Sequence, residues 1–369
     1  MREATPTRRD ILALGGLTLT GGIAGCSSPI STTARSDEPN VDAATNQSDS
    51  TEASGEPDDT DTPDSYTEVY EQTRDSVVLV ETDGQGTGFM YDDSHIVTNA
   101  HVVGRARRGA VRFAAGGWSA AEVVGSDPHS DLAVLKAGSV PSSATPLSFI
   151  DSEPAVGQRV LAIGNPYNLN GTMTSGIISG VDRSIPAPTG FDIPDAIQTD
   201  APVNPGNSGG PLVDLDAEVV AVINSGGGDN IGFGISAALT QRVVPELIET
   251  GEYEHAYMGL SFEAVTPTVA QANGLDEARG LLVARVADGG PSDGVIQPSE
   301  RLELLNGQRV AVGGDVIRAI DGNPVNTTQQ LGSYLALETQ PGETVTVTVH
   351  RDGTEQTVSL KLGRRPLRP

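Results

Sequence analysis

Ser208 lies in the stretch Asn-Pro-Gly-Asn-Ser-Gly-Gly-Pro-Leu, residues 204–212. A serine flanked by glycine, in a turn before an apolar run, has the setting an acyl-transfer nucleophile needs. Glycine lets the backbone fold tightly and expose the hydroxyl. It also lets neighbouring N–H groups converge where a carbonyl oxygen would become an oxyanion. An ordinary glycine-rich turn has the same composition, so the meaning depends on the company the serine keeps. A free serine hydroxyl is a weak nucleophile and needs an adjacent base. The chain has 5 histidines, namely His95, His101, His129, His255 and His350. His95 follows Asp92-Asp93-Ser94 and reads as part of a solvated turn; His129 sits in the polar loop Ser126-Asp127-Pro128-His129-Ser130. His350 falls at the end of a strand-like run, 345–350. His101 follows the apolar segment Ile96-Val97-Thr98-Asn99-Ala100, where an imidazole can be held rigidly. A satisfied core histidine is the alternative. Asp131 opens the apolar run Leu132-Ala133-Val134-Leu135. A carboxylate entering a core needs a partner, although a turn aspartate, for which Asp127 serves equally well, is the other reading.

The three residues occur in the order His101, Asp131, Ser208, which is that of chymotrypsin-type proteases and not of subtilisins or α/β-hydrolases. Their surroundings resemble the HtrA/Deg family of serine proteases. The matching pieces are Thr98-Asn99-Ala100-His101-Val102-Val103, Ser130-Asp131-Leu132-Ala133-Val134-Leu135-Lys136 and 204–212. Gly164-Asn165-Pro166, Thr174-Ser175-Gly176-Ile177-Ile178-Ser179, Ile197-Gln198-Thr199-Asp200-Ala201 and Gly232-Phe233-Gly234-Ile235 also match, and the resemblance runs from Tyr66 to the C-terminus. It implies that His101 takes the Ser208 proton, help typically worth roughly 10²–10⁴-fold, and that Asp131 fixes the imidazole tautomer. It implies an oxyanion hole at Gly206, Asn207 and Ser208, with Pro205 constraining the loop that presents the Gly206 N–H. It places Ile223, Asn224 and Ser225 against the substrate, beside the 200–206 loop. Pro202 stands where trypsin-like relatives carry an acidic residue, so the pocket suits small or medium aliphatic P1 side chains rather than basic ones. Loops at 165–172, 185–195, 201–207 and 225–231 correspond to stretches that switch between active and inactive arrangements in relatives. No cofactor or metal is required.

These residues must be positioned by two domains. Across 65–251, short β-branched runs recur between Gly/Pro turns, for example at 77–81, 96–99, 132–136, 160–163 and 219–223. That pattern signals an all-β barrel or sandwich, and the resemblance implies a mainly β, chymotrypsin-like pair of six-stranded barrels. A helix near 240–250 closes the domain, with Gly251 placed to stop it. Residues 255–364 resemble a PDZ domain, most clearly in Gly314-Asp315-Val316-Ile317-Arg318-Ala319-Ile320-Asp321-Gly322-Asn323-Pro324-Val325. Residues 327–337 resemble the helix beside the peptide groove. Tyr257-Met258-Gly259-Leu260 resemble the loop that holds a peptide's C-terminal carboxylate on backbone N–H groups; a plain first strand is the alternative. The segment 297–313 is longer than a minimal PDZ connection, with Asn306-Gly307 as the expected hairpin turn.

The first 26 residues read as a twin-arginine export signal. Thr7-Arg8-Arg9-Asp10-Ile11-Leu12 precede a short, glycine-rich apolar stretch, and Gly22-Ile23-Ala24-Gly25-Cys26 resemble a lipobox. Cys26 is the only cysteine, so internal disulfides are excluded; a chance placement near a cleavage site is the other reading of it. If lipidated, it is a membrane anchor on the extracytoplasmic face. Residues 27–64 are rich in Ser, Thr, Asp, Glu and Pro, with no aromatic residue and Arg35 as the one basic residue, a composition that cannot bury enough surface to fold. The formal charge of the 369-residue chain is −26, and Lys136 and Lys361 are its only lysines. That balance opposes nucleic-acid binding and resembles proteins of extreme halophiles, including haloarchaeal members of the family. The family reading implies a homotrimer or larger, with Tyr66 and Tyr70 as candidate contacts unless they pack locally. The expected function is cleavage of unfolded or misfolded exported polypeptides, with peptide C-termini bound at the PDZ domain. The competing expectation is a surface peptide-binding or chaperone module with an idle protease site.

Overall fold

The computed structural model describes residues 63–367, except 116, 165–170, 229 and 306. The expected export signal, Cys26 and nearly all of the Ser/Thr-rich stretch lie outside the described residues. Helix α1 (Pro63–Thr73) begins within the last two residues of that stretch and leads through a 3₁₀ turn (Arg74–Ser76) into the first barrel. Its strands are β1 (Val77–Glu81), β2 (Gln85–Met90), β3 (His95–Asn99), β4 (Arg108–Arg112), β5 (Trp118–Asp127) and β6 (Leu132–Ala137), with the one-turn helix α2 (Ala100–Val103) after β3. They close in the order β1-β2-β3-β6-β5-β4. The second barrel comprises β7 (Arg159–Gly164), β8 (Thr172–Pro186), β9 (Asp192–Thr199), β10 (Pro211–Val213), β11 (Val219–Gly228) and β12 (Ile231–Ser236), closed as β10-β11-β12-β9-β8-β7. The double six-stranded barrel is thus present.

The apolar runs are continuous because many strands are buried on both faces. Side chains alternate along a strand. In β6, Ala133 and Leu135 fill the first barrel while Leu132 and Val134 face a core shared between the barrels. In β7, Val160 and Ala162 fill the second barrel while Leu161 and Ile163 join the shared core. Burying one such leucine or isoleucine stabilises by about 1.5–3 kcal/mol, so the seam that carries the cleft is stiff. Helix α3 (Ala237–Glu249) straps the second barrel back onto the first. The Ser236 hydroxyl caps it by accepting the Leu239 N–H, and Val243, Val244 and Leu247 enter the shared core. A Cβ at Gly125 would lie 2.5 Å from the Leu247 carbonyl oxygen, so only glycine lets this helix sit down on β5. Gly251, at φ 85°, ends the helix as expected.

The remaining chain forms a sheet of β14 (Leu260–Ala264), β15 (Leu281–Val286), β18 (Val316–Ile320), β20 (Thr344–Arg351) and β21 (Thr354–Lys361), in that order, with β19 (Asn323–Pro324) against β18. Helices α4 (Pro267–Ala272) and α5 (Thr328–Glu338) flank it, and β13 (Ala256–Tyr257) pairs with β22 (Gly363–Arg364). The long 297–313 connection folds into a separate hairpin of β16 (Arg301–Leu305) and β17 (Gln308–Val312) around the expected turn; Asn306 is outside the described residues, and Gly307 takes φ 80°. Helix α5 lies against the protease barrels. Ser333 Oγ donates to Asp182 Oδ1 at 2.5 Å, Arg242 Nη2 donates to the Thr339 carbonyl at 2.8 Å, and Ala336 packs in the shared core.

Candidate active site

The turn between β5 and β6 and the turn after β3 meet at Asp131. Asp131 has φ 54°, and its carbonyl accepts the Ala100 N–H at 3.0 Å and Asn99 Nδ2 at 3.1 Å. Its carboxylate is thereby aimed at α2. Oδ1 accepts the His101 backbone N–H at 2.8 Å, and Oδ2 lies 2.6 Å from His101 Nδ1. The pairing puts the ring proton on Nδ1 and leaves Nε2 free to accept another. The Asp131 side chain is 6% exposed and that of His101 43%, so a buried carboxylate supports an imidazole at the surface of the cleft. The hydrogen bond that His101 donates to Asp131, opposed by burial and helped by the Asp131 charge, holds the His101 pKa above the usual histidine value.

The nucleophile loop is tied to both barrels. The Asn207 N–H donates to the Asn204 carbonyl at 3.0 Å, and Gly206 takes φ 101°. With Pro205 second and Gly206 third, this is a type II turn, which requires a positive φ at its third residue. From β2, the Thr87 N–H donates to the Ser208 carbonyl at 2.8 Å and Thr87 Oγ1 to the Gly206 carbonyl at 2.6 Å. These bonds hold both carbonyls toward the first barrel. Gly209, at φ 85°, packs so tightly that a Cβ would collide with the Thr87 carbonyl and the Thr98 hydroxyl. On the other side, the Gly209 N–H reaches the Ile223 carbonyl and the Ile223 N–H the Gly210 carbonyl, each at 2.8 Å.

A cleft of about 620 Å³ brings together His101, Asp131, Ser208 and Asn224, with apolar walls from Ile193 and Val203. Ser208 Oγ donates to the Asn224 carbonyl at 2.9 Å, rather than to the His101 ring. Of the residues expected to touch substrate, Ile223 does not face the cleft. It is 1% exposed and packs inside the second barrel, because its strand position points inward. The Asn224 amide turns to Asp131, Nδ2 donating to Oδ2 at 2.6 Å. Ser225 lies in β11 one residue beyond Asn224. In the second domain Tyr257 closes β13, Met258 is buried, Gly259 has φ 76° and Leu260 opens β14, the terminal strand of its sheet. The Met258 carbonyl accepts Ser292 Oγ at 2.7 Å and the Gly259 carbonyl accepts the Ala287 N–H at 2.8 Å.

A buried cluster beside the site was not read from the sequence. His129 itself is buried within its polar loop. Asp127 Oδ2 lies 2.6 Å from His255 Nε2 and accepts Ser130 Oγ at 2.5 Å, while Oδ1 accepts the His129 N–H at 3.0 Å. The His129 ring lies edge-on to His255 and to Phe191, and burial, the largest influence on it, pushes its pKa down to about 4. Arg365 stacks on Phe191 at 5.2 Å, and its N–H donates to the His255 carbonyl at 2.9 Å. Polar loop composition hides such burial, and the Asp127–His255 partners are 128 residues apart.

Residues 86–222 match the trypsin-like peptidase domain family, and residues 256–362 match the PDZ domain family. A probable periplasmic serine endoprotease, DegP-like, from Rhizobium meliloti (strain 1021) is 38% identical over 289 residues, 76% of this chain and 54% of that protein. Its counterpart in Hahella chejuensis (strain KCTC 2396) is 35% identical over 295 residues, covering 78% and 58%. The chain spans about half the length of these relatives. Among solved structures, the HtrA-type protease AlgW with tripeptide superposes with TM-score 0.67 at 31% identity, over 82% of this chain and 97% of that one. A serine endoprotease from Yersinia pestis gives TM-score 0.60 at 29% identity, over 83% and 100%.

Proposed function

Since the chain belongs to the HtrA/DegP family of serine proteases, a trypsin-like double barrel followed by one PDZ domain, we propose that it is a serine endopeptidase of extracytoplasmic protein quality control. The observation that carries this is the His101–Asp131 pair at 2.6 Å sharing one cleft with Ser208. Ser208 Oγ attacks the scissile carbonyl carbon as His101 Nε2 takes its proton. The Gly206 and Ser208 N–H groups, with Asn207 between them, receive the oxyanion; losing one such donor in a comparable enzyme costs about 3–4 kcal/mol. The C–N bond then breaks, the departing amine takes the proton from His101, and water releases the acyl group from Ser208 by the reverse proton path. Asp131 holds the Nδ1–H tautomer throughout. The walls of Ile193 and Val203 favour small or medium aliphatic P1 residues.

The relatives named periplasmic, together with the paired arginines and the lipobox-like Cys26, support export by the twin-arginine route and a lipid anchor. The loop 257–260 beside the terminal strand β14 supports capture of peptide C-termini. A homotrimer or larger and adaptation to high salt complete the reading. A second reading, a peptide-binding or chaperone module, is favoured by the Ser208 hydroxyl resting on the Asn224 carbonyl. Casein digestion by the purified chain in molar salt, beside Ser208→Ala, separates the two. Peptide products from the parent and none from the variant are expected, with cleavage after Val, Ala or Ile when the sites are mapped by mass spectrometry. Equal, negligible turnover by both proteins favours the binding module, and sites dominated by Arg or Lys refute the P1 assignment.

A further inference from the structure

The Asn224 side chain leaves the substrate wall and enters the hydrogen-bond system of the triad. Strand β11 pairs with β12 in register up to Ile223↔Gly234 and resumes one residue out, at Ser225↔Phe233. Asn224 is the extra residue of this bulge, and bulges beside active sites commonly re-aim a side chain. Freed from the ladder, its two ends face the two ends of the triad. Nδ2 donates to Asp131 Oδ2 at 2.6 Å, the same oxygen that His101 Nδ1 contacts at 2.6 Å. Its backbone carbonyl, which the Asn224 variants keep, accepts Ser208 Oγ at 2.9 Å. The segment before the bulge is stitched to the nucleophile loop through Ile223, Gly209 and Gly210, so the Asn224 backbone cannot drift from Ser208. Asn224 is 8% exposed, and burial gives a charge-assisted bond of this kind more weight than it would have in water.

We propose that Asn224 is a positioning residue: its amide fixes the Asp131 carboxylate against His101, and its carbonyl holds the Ser208 hydroxyl until substrate enters. The inference rests on the peptidase reading above. The His101 N–H holds Oδ1 and the amide donor holds the shared Oδ2, so the carboxylate is fixed at both oxygens, and losing the Oδ2 donor would let it tilt away from the imidazole. Before attack the hydroxyl must turn from the carbonyl to His101 Nε2.

The test compares the parent with Asn224→Ala, Asn224→Ser and Ser208→Ala, each as the full chain in molar salt, after circular dichroism and melting establish which are folded. A chromogenic aliphatic peptide gives kcat and KM across pH. Asn224→Ala should lower kcat by roughly ten- to hundredfold, as loss of a bond that orients a reacting group commonly does, with KM changed less than about threefold. Its acid limb should move toward lower pH, because His101 loses part of the Asp131 support that raises it. Asn224→Ser keeps a donor and should recover part of kcat and of the limb. A risen KM with kcat and pH profile intact would make Asn224 a substrate-wall residue and overturn the proposal. An unmoved limb, or one displaced upward, would show the carboxylate still oriented and would overturn it as well. Should Asn224→Ala fail to fold, Asn224→Leu, close to Asn in volume but without a donor, takes its place: a lower kcat and a limb moved down relative to Asn224→Ser support positioning, and values equal to those of Asn224→Ser overturn it. If the parent is no more active than Ser208→Ala, the peptidase reading falls and this inference with it. An active parent with unaffected Asn224 variants refutes this inference alone.

Discussion

In the proposed mechanism His101 must be neutral to accept the Ser208 proton, so its pKa would set the low-pH edge of activity. That pKa is raised, first by the hydrogen bond that the ring donates to Asp131. The acid limb of kcat/KM should therefore lie above the free histidine value of about 6.5, and activity should fall as pH drops through it. Asp131→Asn removes the cause. Its limb should move down, and kcat should fall by roughly 10⁴-fold, the loss seen for the same change in another triad. A pH–rate series on both proteins checks this, and coincident limbs contradict it. That Ser208, His101 and Asp131 would come together in one cleft was legible in the sequence because each sits in a distinctive local pattern. Asn224 was legible only as a neighbour of the substrate. Its actual direction depends on a one-residue register shift with β12, and nothing in the run 219–228 encodes which residue the partner strand will skip.

The turn joining β5 to β6 carries Asp131 at one end and the buried Asp127 at the other, and the second domain grips it there through His255. Burial pushes the Asp127 pKa up. The His255 hydrogen bond and charge, then Ser130 and the His129 N–H, outweigh it and hold the carboxyl below its usual range. A depressed carboxyl contributes stability above its unfolded pKa and loses it as pH falls through the folded one. His129 behaves in the same sense for the opposite charge reason. It stays neutral in the fold down to about pH 4, whereas the unfolded chain takes up the proton near pH 6.5. Stability is thus full above about pH 6.5 and declines toward pH 4, by at most about 1.4 kcal/mol per pH unit for one proton. His129→Phe keeps an aromatic ring and removes the proton site, so its denaturation midpoints should vary less with pH over that window. Parallel curves for parent and variant would show that His129 does not bind the differential proton. The strands themselves were plain in the sequence, since strands buried on both faces leave continuous apolar runs, while their closure into two barrels rested on the family resemblance. The grip between domains was not, because Asp127–His255 and Ser333–Asp182 join residues far apart in the chain and no periodicity announces such pairs.

At the scale of the molecule, 49 acidic residues face 23 basic ones for a formal charge of −26. The surface shows the consequence directly. Three exposed arginines are each shared between two carboxylates: Arg279 by Glu277 and Glu355, Arg301 by Glu300 and Glu303, and Arg364 by Glu252 and Glu254. Exposed pairs of this kind stabilise by about 0–1 kcal/mol each, too little to offset the repulsion that a large net charge imposes on a compact state. Dissolved salt does what the missing lysines do not. The screening length falls from about 8 Å at 0.15 M to about 3 Å at 1 M. Melting temperature and peptidase activity should both rise steeply from dilute buffer to molar sodium chloride, and sodium and potassium chlorides should act alike because the effect is screening. Sucrose carries no charge and should not substitute for either. Full activity with an unchanged melting temperature in dilute buffer would mean that the acidic surface is tolerated without screening and would refute the dependence on salt. Equal rescue by sucrose would assign the effect to solute exclusion from the protein surface.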